Sequence, residues 1–175
     1  MGKSGRKWEK VCIFDPIIKR FMIHSSVTYE CKADSKGRIT IPSGLKCLLD
    51  KELERGFVLK PSVFNRCIEL YPQGEWQEIM EKLRTKLNLF SKQHLDYLRK
   101  FTAGVKEVEV DAAARFLIPK SLVEYAHIDK EVVLVPLINF IEIWDKEAFE
   151  AQNNSIDEVT FMQMTEKIMG EDGRE

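Results

Sequence analysis

The sequence predicts an α+β protein made of two copies of a β-rich half joined by a pair of helices. The first observation behind this prediction is an internal repeat, in which the motif DSKGRITIP returns further along the chain as DAAARFLIP. The matched segments, in chain order, are 34–42 with 111–119, 58–61 with 133–136, and 68–71 with 141–144. Three ordered matches indicate a duplication. The second observation is an apolar stripe of helical spacing between the two copies.

Each copy shows the pattern of four strands and one short helix. The predicted strands are 27–33, 38–41, 57–60 and 67–71 in the first copy, and 106–110, 115–118, 132–135 and 140–144 in the second. Their β-branched and aromatic residues, bounded by Gly, Pro and Asn, are typical of strands. Pro42 and Pro119 end the second strand of each copy and suit the first turn of a helix. Helices are therefore predicted at Ser43–Leu49 and Lys120–Ala126.

Helices are also predicted between the copies and after the second one. Apolar residues recur at helical spacing from Trp76 to Leu87. Ser91 is a candidate N-cap for a second helix, which Gly104 ends. The apolar residues expected to face inward on that second helix are Leu95, Leu98 and Phe101. In the tail, the segment SIDE at 155–158 fits a capping box led by Ser155 and predicts a short terminal helix.

Composition and charge bound the class of protein. With 175 residues, 44% apolar and 31% charged, the chain has the composition of a soluble globular protein. We expect a cytoplasmic protein without a membrane span, because no apolar run reaches about 20 residues and no secretory signal is recognisable. The net charge of −1 is unevenly distributed. Segment 1–21 has six basic and two acidic residues, and 151–175 has the reverse, so an acidic tail can hide a basic face.

The sequence offers little for metal, cofactor or catalytic chemistry. Its four cysteines and three histidines are scattered without paired ligand spacing, so we expect no metal site and no cofactor. It has no Walker A loop, no G-x-S-x-G and no H-E-x-x-H. Glu69 and Glu142 recur at equivalent strand positions, but alternation points Glu69 away from its apolar neighbours. A solvated face is therefore expected there rather than a catalytic pair.

The repeated motif reads as a tight turn that presents basic side chains. Asp34 can bond the backbone amides ahead of it and Gly37 supplies a positive φ, so that Lys36 and Arg38 project from a compact loop toward solvent. One interpretation is a well-made hairpin with solvated charges. The other is a nucleic-acid contact, because the repeat places Arg115 in the second loop, and the arginine fork suits phosphates and guanine edges.

The ordered motifs resemble the MraZ family over about residues 27–150. They are D-S-K-G-R-I-x-I-P, C-I-E-L-Y-P-x-x-E-W, a two-helix insert, D-x-x-x-R-x-L-I-P and E-I-W. The resemblance implies two AbrB-type swapped-hairpin halves fused into an intrachain pseudo-dimer. It also implies a bacterial transcriptional regulator of the division and cell-wall gene cluster, without catalysis. Such proteins bind double-stranded DNA at promoter direct repeats as a homo-oligomeric ring and associate with the nucleoid.

The resemblance assigns roles to the residues of the two turns. In the first turn, Lys36 and Arg38 are expected to contact DNA, while Asp34 and Gly37 shape the loop. In the second turn, Asp111 is loop-shaping and Arg115 is the candidate DNA contact or a brace at a subunit interface.

The second copy departs from the family pattern at two positions. Ala114 stands where glycine is usual, and an L-residue is strained at positive φ, so a different type of turn is expected. Ala113 replaces the basic residue equivalent to Lys36, which puts DNA contact by the second copy in question.

The resulting domain division and its rivals can be stated together. The division is 1–21, a basic N-terminal extension; 22–72, the first half; 73–104, the helical pair; 105–150, the second half; and 151–175, the acidic tail. Neither a membrane nor a small-molecule substrate is expected as a partner. The first alternative is an AbrB-fold, antitoxin-like interaction module whose tail binds a partner protein. The second is an enzyme that uses a pocket between the halves at Glu69 or Glu142.

Overall fold

The computed structural model describes residues 27–170, so the predicted extension 1–21 lies outside the described residues. Within this range the chain is α+β, with six helices and antiparallel sheets. The first half comprises β1 (Tyr29–Lys32), β2 (Arg38–Thr40), α1 (Ser43–Leu49), β3 (Phe57–Pro61) and β4 (Ile68–Pro72). The helical pair is α2 (Gln73–Lys86) and α3 (Lys92–Thr102). The second half and tail comprise β5 (Lys106–Val108), β6 (Arg115–Leu117), α4 (Lys120–Ala126), β7 (Glu131–Pro136), β8 (Ile141–Asp145), α5 (Lys146–Asn154) and α6 (Glu158–Met169).

The duplicated pattern of elements is confirmed. The helices α1 and α4 have the predicted bounds, and all eight strands agree with the prediction to within two residues at either end. Pro42 and Pro119 directly precede the two helices, each with a φ of −57°. The proline ring holds this φ and removes a ladder donor, which ends the strand and starts the helix at the same residue in both copies.

The halves exchange their first strands. The six-stranded sheet has the order β1-β7-β8-β4-β3-β5, with every neighbouring pair antiparallel. Strand β1 of the first half pairs with β7 of the second, and β5 of the second half pairs with β3 of the first. Strands β4 and β8 meet at the centre, where Glu69 lies opposite Glu142. The strand order is therefore symmetric about this central pair.

The main core lies on the inner face of this sheet. A second, two-stranded sheet of β2 and β6 sets Ile39 opposite Phe116, and both side chains are fully or almost fully buried. Helices α1 and α4 add buried leucines to the same cluster, with Leu45 and Leu122 among them. Both copies thus contribute the same elements to one shared core.

The outer face of the sheet is covered by helices. Helix α2 packs on β3 and β4, and α5 packs on β7 and β8. Trp76 of α2 stacks on Phe101 of α3 with ring centroids 5.9 Å apart. This contact confirms that Phe101 faces inward, and Leu95 and Leu98 beside it are half-buried. The hydroxyl of Ser91 makes no capping bond, although α3 does begin directly after it.

The tail contains more helix than the sequence predicts. The predicted capping box is wrong, because Ser155 lies at the end of α5 and donates its hydroxyl to the carbonyl of Gln152. Asp157 caps α6 instead, with its carboxylate accepting from the backbone and hydroxyl of Thr160. Helix α5 spans the predicted boundary at residue 150. None of the helices within 27–170 is both long and apolar enough to cross a membrane.

Candidate nucleic-acid interface

The first Asp–Arg turn is closed by a single carboxylate. Asp34 accepts hydrogen bonds from the backbone N–H of Lys36 (2.8 Å) and Arg38 (2.9 Å), and from Arg38 Nε (2.7 Å). Gly37 has a φ of +79° and donates its N–H to the Asp34 carbonyl. The side chain of an aspartate is short enough to fold back on the amides ahead of it, which explains why it starts this turn.

The second turn repeats the first, contrary to the expectation of a different type. Asp111 accepts from the backbone N–H of Ala113 and Arg115 and from Arg115 Nε, each at 2.9 Å. Ala114 takes the glycine-like conformation with a φ of +55°. The left-handed region costs an L-residue roughly 1–2 kcal/mol. The hydrogen bonds to Asp111 and the burial of Ala114 offset that strain and preserve the turn.

The two turns stand at opposite ends of the ladder between β2 and β6. The backbone N–H of Ile118, after β6, donates to the carbonyl of Gly37, and Ile41, after β2, donates to the carbonyl of Ala114. Each turn is therefore tied to the other half of the chain. The scaffold presents two similar turns in a fixed relation, which is the geometry that a repeated ligand such as a duplex backbone requires.

The arginines are held on the scaffold rather than projected away from it. Arg38 lies on Asp34 and its side chain is 37% exposed, so the expectation that it leaves the turn for solvent is wrong. Its hydrogen bond runs through Nε, which leaves the terminal N–H groups available to a ligand. Arg115 engages Asp111 through both Nε and Nη2. Lys36 is exposed and forms no ion pair within the described range, so the first turn presents one more unpaired cation than the second.

Both aspartates are ionised over the ordinary pH range. The backbone N–H of Arg38, with help from its guanidinium, lowers the pKa of Asp34 to about 2. The guanidinium of Arg115, followed by its backbone N–H, lowers the pKa of Asp111 below its usual range. Each turn thus pairs one fixed negative charge with one arginine, and the excess positive charge of the first turn comes from Lys36.

Replacing Gly37 with alanine is expected to lower the free energy of unfolding by about 1–2 kcal/mol, because an L-residue is strained at this φ. An added Cβ would also lie 3.2 Å from the carbonyl oxygen of Ile118. Urea denaturation measures the effect. The matched variant is Ala114→Gly, where relief of strain opposes lost burial, and a change below about 1 kcal/mol is expected. Equal stability of Gly37→Ala and the unaltered chain would contradict this prediction.

A second polar cluster lies on the outer face of the sheet and overturns the expected solvated face. Glu69 is 5% exposed and accepts hydrogen bonds from Lys60 Nζ (2.9 Å) and the Tyr71 hydroxyl (3.0 Å). Lys60 itself is 1% exposed, with Nζ 4.9 Å from the centre of the Phe101 ring. Alternation does turn Glu69 away from the main core, but α2 and α3 cover that side.

The cluster is asymmetric between the copies. Val135 stands at the position equivalent to Lys60, so one lysine faces two glutamates. Glu142 is half-buried and accepts from Trp144 Nε1 at 2.9 Å. Desolvation raises the pKa of Glu142, the Glu69 carboxylate adds to this, and the Trp144 bond opposes it. Sequence reasoning missed Lys60, whose signal was a lone lysine within an apolar strand. The arrangement fits a buried ionic network rather than a catalytic pair.

Glu142→Gln is expected to flatten the pH dependence of stability. Because the folded-state pKa of Glu142 is raised, the stability that its protonated form contributes is complete below the unfolded pKa of about 4.3. That contribution is lost as pH rises through the folded pKa. Denaturation series from acid to neutral pH should show a smaller decline for the variant. Glu54→Gln, at an exposed position, is the control. Identical profiles for Glu142→Gln and the unaltered chain would refute the assignment.

The fold and the turns together define a duplicated α+β protein with two Asp–Arg turns at the ends of a central ladder. The model of the family described as "MraZ protein, putative antitoxin-like" matches residues 22–100 and again residues 101–172. The chain belongs to the MraZ family. The two matches agree with the duplication found in the sequence and in the sheet.

Curated relatives in two other bacteria cover most of the chain. It is 49% identical over 144 residues to the Transcriptional regulator MraZ of Flavobacterium psychrophilum, which spans 82% of this chain and 90% of the relative. It is also 49% identical over 152 residues to the Transcriptional regulator MraZ of Christiangramia forsetii, which spans 86% and 96%. The resemblance drawn from the sequence motifs is thereby confirmed at the level of the family.

Proposed function

We propose that this protein is a sequence-specific DNA-binding transcriptional regulator that contacts duplex DNA with its Asp–Arg turns. The observation that carries the proposal is the rigid pair of turns tied across the ladder between β2 and β6. The names of the relatives support the same function. Arginine and lysine on compact loops suit phosphate oxygens and guanine edges.

In this proposal the two turns have unequal roles. Lys36 and Arg38 contact DNA, and Asp34 and Gly37 set the shape of the first loop. Asp111 shapes the second loop, and Arg115 either contacts DNA more weakly or braces a subunit interface. The unpaired charge of Lys36 favours the first turn as the main contact.

The proposed scaffold is the AbrB-type swapped hairpin, fused into an intrachain pseudo-dimer. The exchange of first strands between the halves supports this assignment. Its proposed division is a first half at 22–72, a helical pair at 73–104 and a second half at 105–150. Segment 1–21, with its basic charge, adds non-specific DNA affinity, and 151–175 forms an acidic tail.

The proposed binding unit is a multi-subunit ring on promoter direct repeats of the division and cell-wall gene cluster, in the cytoplasm and on the nucleoid. A net charge of −1 per chain supports an assembly, since a few phosphate contacts per subunit are weak until they are linked. The catalytic alternative is disfavoured because Glu69 is closed off from solvent.

Binding to the DNA upstream of its own gene is expected to be steeply salt-dependent. Neutralising Z phosphates gives a slope of about −0.9Z in log K against log salt, so several subunits with about two contacts each imply a slope beyond roughly −4. Gel shifts at increasing salt measure this slope, with a scrambled duplex as the control. A nearly flat response would argue against DNA as the partner.

A second candidate function is an antitoxin-like interaction module. The observation that favours it is the exposed apolar surface of α6, and the description of the family includes the same term. Co-purification of the product of an adjacent gene, lost when residues 151–175 are removed, would support this candidate. Operator binding that does not depend on the tail would favour the regulator.

A further inference from the structure

Helix α6 is covered by no other described element. Every residue of the helix except Thr160 is exposed. Its exposed apolar side chains are Val159, Phe161, Met162, Met164, Ile168 and Met169. At 100° per residue these fall on two opposite sides of the helix, one with Val159 and Met162 and the other with Phe161 and Ile168.

Such a helix needs a partner for physical reasons. Isolated helices of fewer than about 12–15 residues are marginal in water, and most helical stability in proteins comes from packing an apolar face. Helix α6 has 12 residues and no packed face among residues 27–170. Contiguous exposed apolar surface of this kind marks an interaction site.

The helical pair offers an apolar groove of suitable size. Between α2 and α3 lies a groove of about 600 Å³. Its apolar lining consists of Trp76, Met80, Leu83, Leu87, Leu89 and Leu98. At the tip of the pair, Phe90 is completely exposed and Leu89 is 59% exposed. Helix α6 is about 18 Å long and α2 about 21 Å, so α6 fits along the groove.

The two surfaces carry opposite charge. Segment 81–100, which forms the tip half of the helical pair, has six Lys or Arg and two acidic residues. Four exposed lysines there form no ion pair with any described residue: Lys82, Lys86, Lys92 and Lys100. Segment 157–175, which contains α6, has six acidic residues against Lys167 and Arg174. Apolar contact and charge therefore favour the same pairing.

We propose that α6 of one copy docks in the groove between α2 and α3 of a second copy. The link from α5 to α6 is only 155–157, and α5 packs on β7 and β8, which holds α6 away from the groove of its own chain. The basic segment 1–21 is a poorer occupant, because it has the same sign of charge as the rim of the groove.

This contact is heterologous, since each copy donates one helix and receives another. Contacts of this type generate a ring when the rotation closes. The inference rests on the multi-subunit assembly proposed above and names the contact that builds it.

The test mixes two chains that each lack one side of the contact. Leu89→Asp disables the groove and Phe161→Asp disables the helix, and both positions are exposed, so the fold is retained by circular dichroism. Each variant alone is expected to assemble at least tenfold more weakly in sedimentation equilibrium. Their equimolar mixture should form a dimer and nothing larger, because only one intact contact remains. Ile138→Asp, exposed on the turn between β7 and β8, is the matched control and should keep the original mass.

The other results overturn the proposal in distinguishable ways. A mixture that stays monomeric would indicate docking in the same chain or on segment 1–21, and unaltered assembly of Leu89→Asp would indicate pairing of α6 with α6. An unaltered chain that is itself monomeric would refute the proposed ring together with this contact. The salt titration of DNA binding is independent of these masses, so its failure would refute the regulator alone.

Discussion

Replacing Arg38 with alanine is expected to abolish specific operator binding while the chain stays folded. A bidentate guanine contact is worth about 1–3 kcal/mol, and the loss is multiplied over the subunits engaged on the DNA. Because Arg38 also clamps Asp34, the variant removes a turn contact as well. Gel shift measures the DNA affinity, and circular dichroism with urea denaturation measures the fold.

Two matched variants separate the DNA contact from the clamp. Asp34→Asn weakens the clamp and keeps the guanidinium, so it should retain much more DNA affinity than Arg38→Ala. Arg115→Ala removes the equivalent clamp in the second copy and should also retain most of the affinity, with oligomer size measured in parallel. Equal loss of DNA binding in Arg38→Ala and Arg115→Ala, with assembly intact, would show that the two turns work as a symmetric pair.

Lys60→Met is expected to lower the free energy of unfolding by about 3–5 kcal/mol, because it leaves the Glu69 carboxylate buried without its cation. The Lys60–Glu69 pair is almost completely buried, at 2% and 6% side-chain exposure. Urea denaturation at neutral pH measures the change.

A double variant keeps that prediction interpretable. Lys60→Met combined with Glu69→Gln removes both charges, and the side-chain amide that replaces the carboxylate can still accept from Tyr71, so most of the lost stability should return. Val135 shows that an apolar side chain already occupies the equivalent position in the second half. A loss below about 1 kcal/mol in the single variant would mean that the pair behaves like a solvated one.

Much of the fold could be predicted because its local signals are strong. The proline before α1 and the proline before α4 set the ends of β2 and β6 in both copies. The repeat also gave two independent estimates of every strand. The Asp–Arg turns were predicted from Asp34 and Gly37, whose conformational preferences act within four residues.

What could not be predicted depends on contacts distant in sequence. Alternation gave the correct side for Glu69, but only the packing of α2 and α3 decides whether that side is wet. The turn at Ala114 follows the hydrogen bonds of Asp111 rather than the preference of alanine. At the tail, Ser155 and Asp157 are both good caps, and the end of α5 decides between them.

The exchange of first strands has a consequence for how the protein is made. Strand β1 pairs with β7, which is synthesised about 100 residues later. At roughly 5–20 residues per second, the ribosome extends the chain for about 5–20 s before that partner exists. During this interval the nascent first half holds unpaired strand edges, which invite association with other chains. Completion of the sheet therefore waits until residue 145 has emerged, and folding is close to a post-translational event.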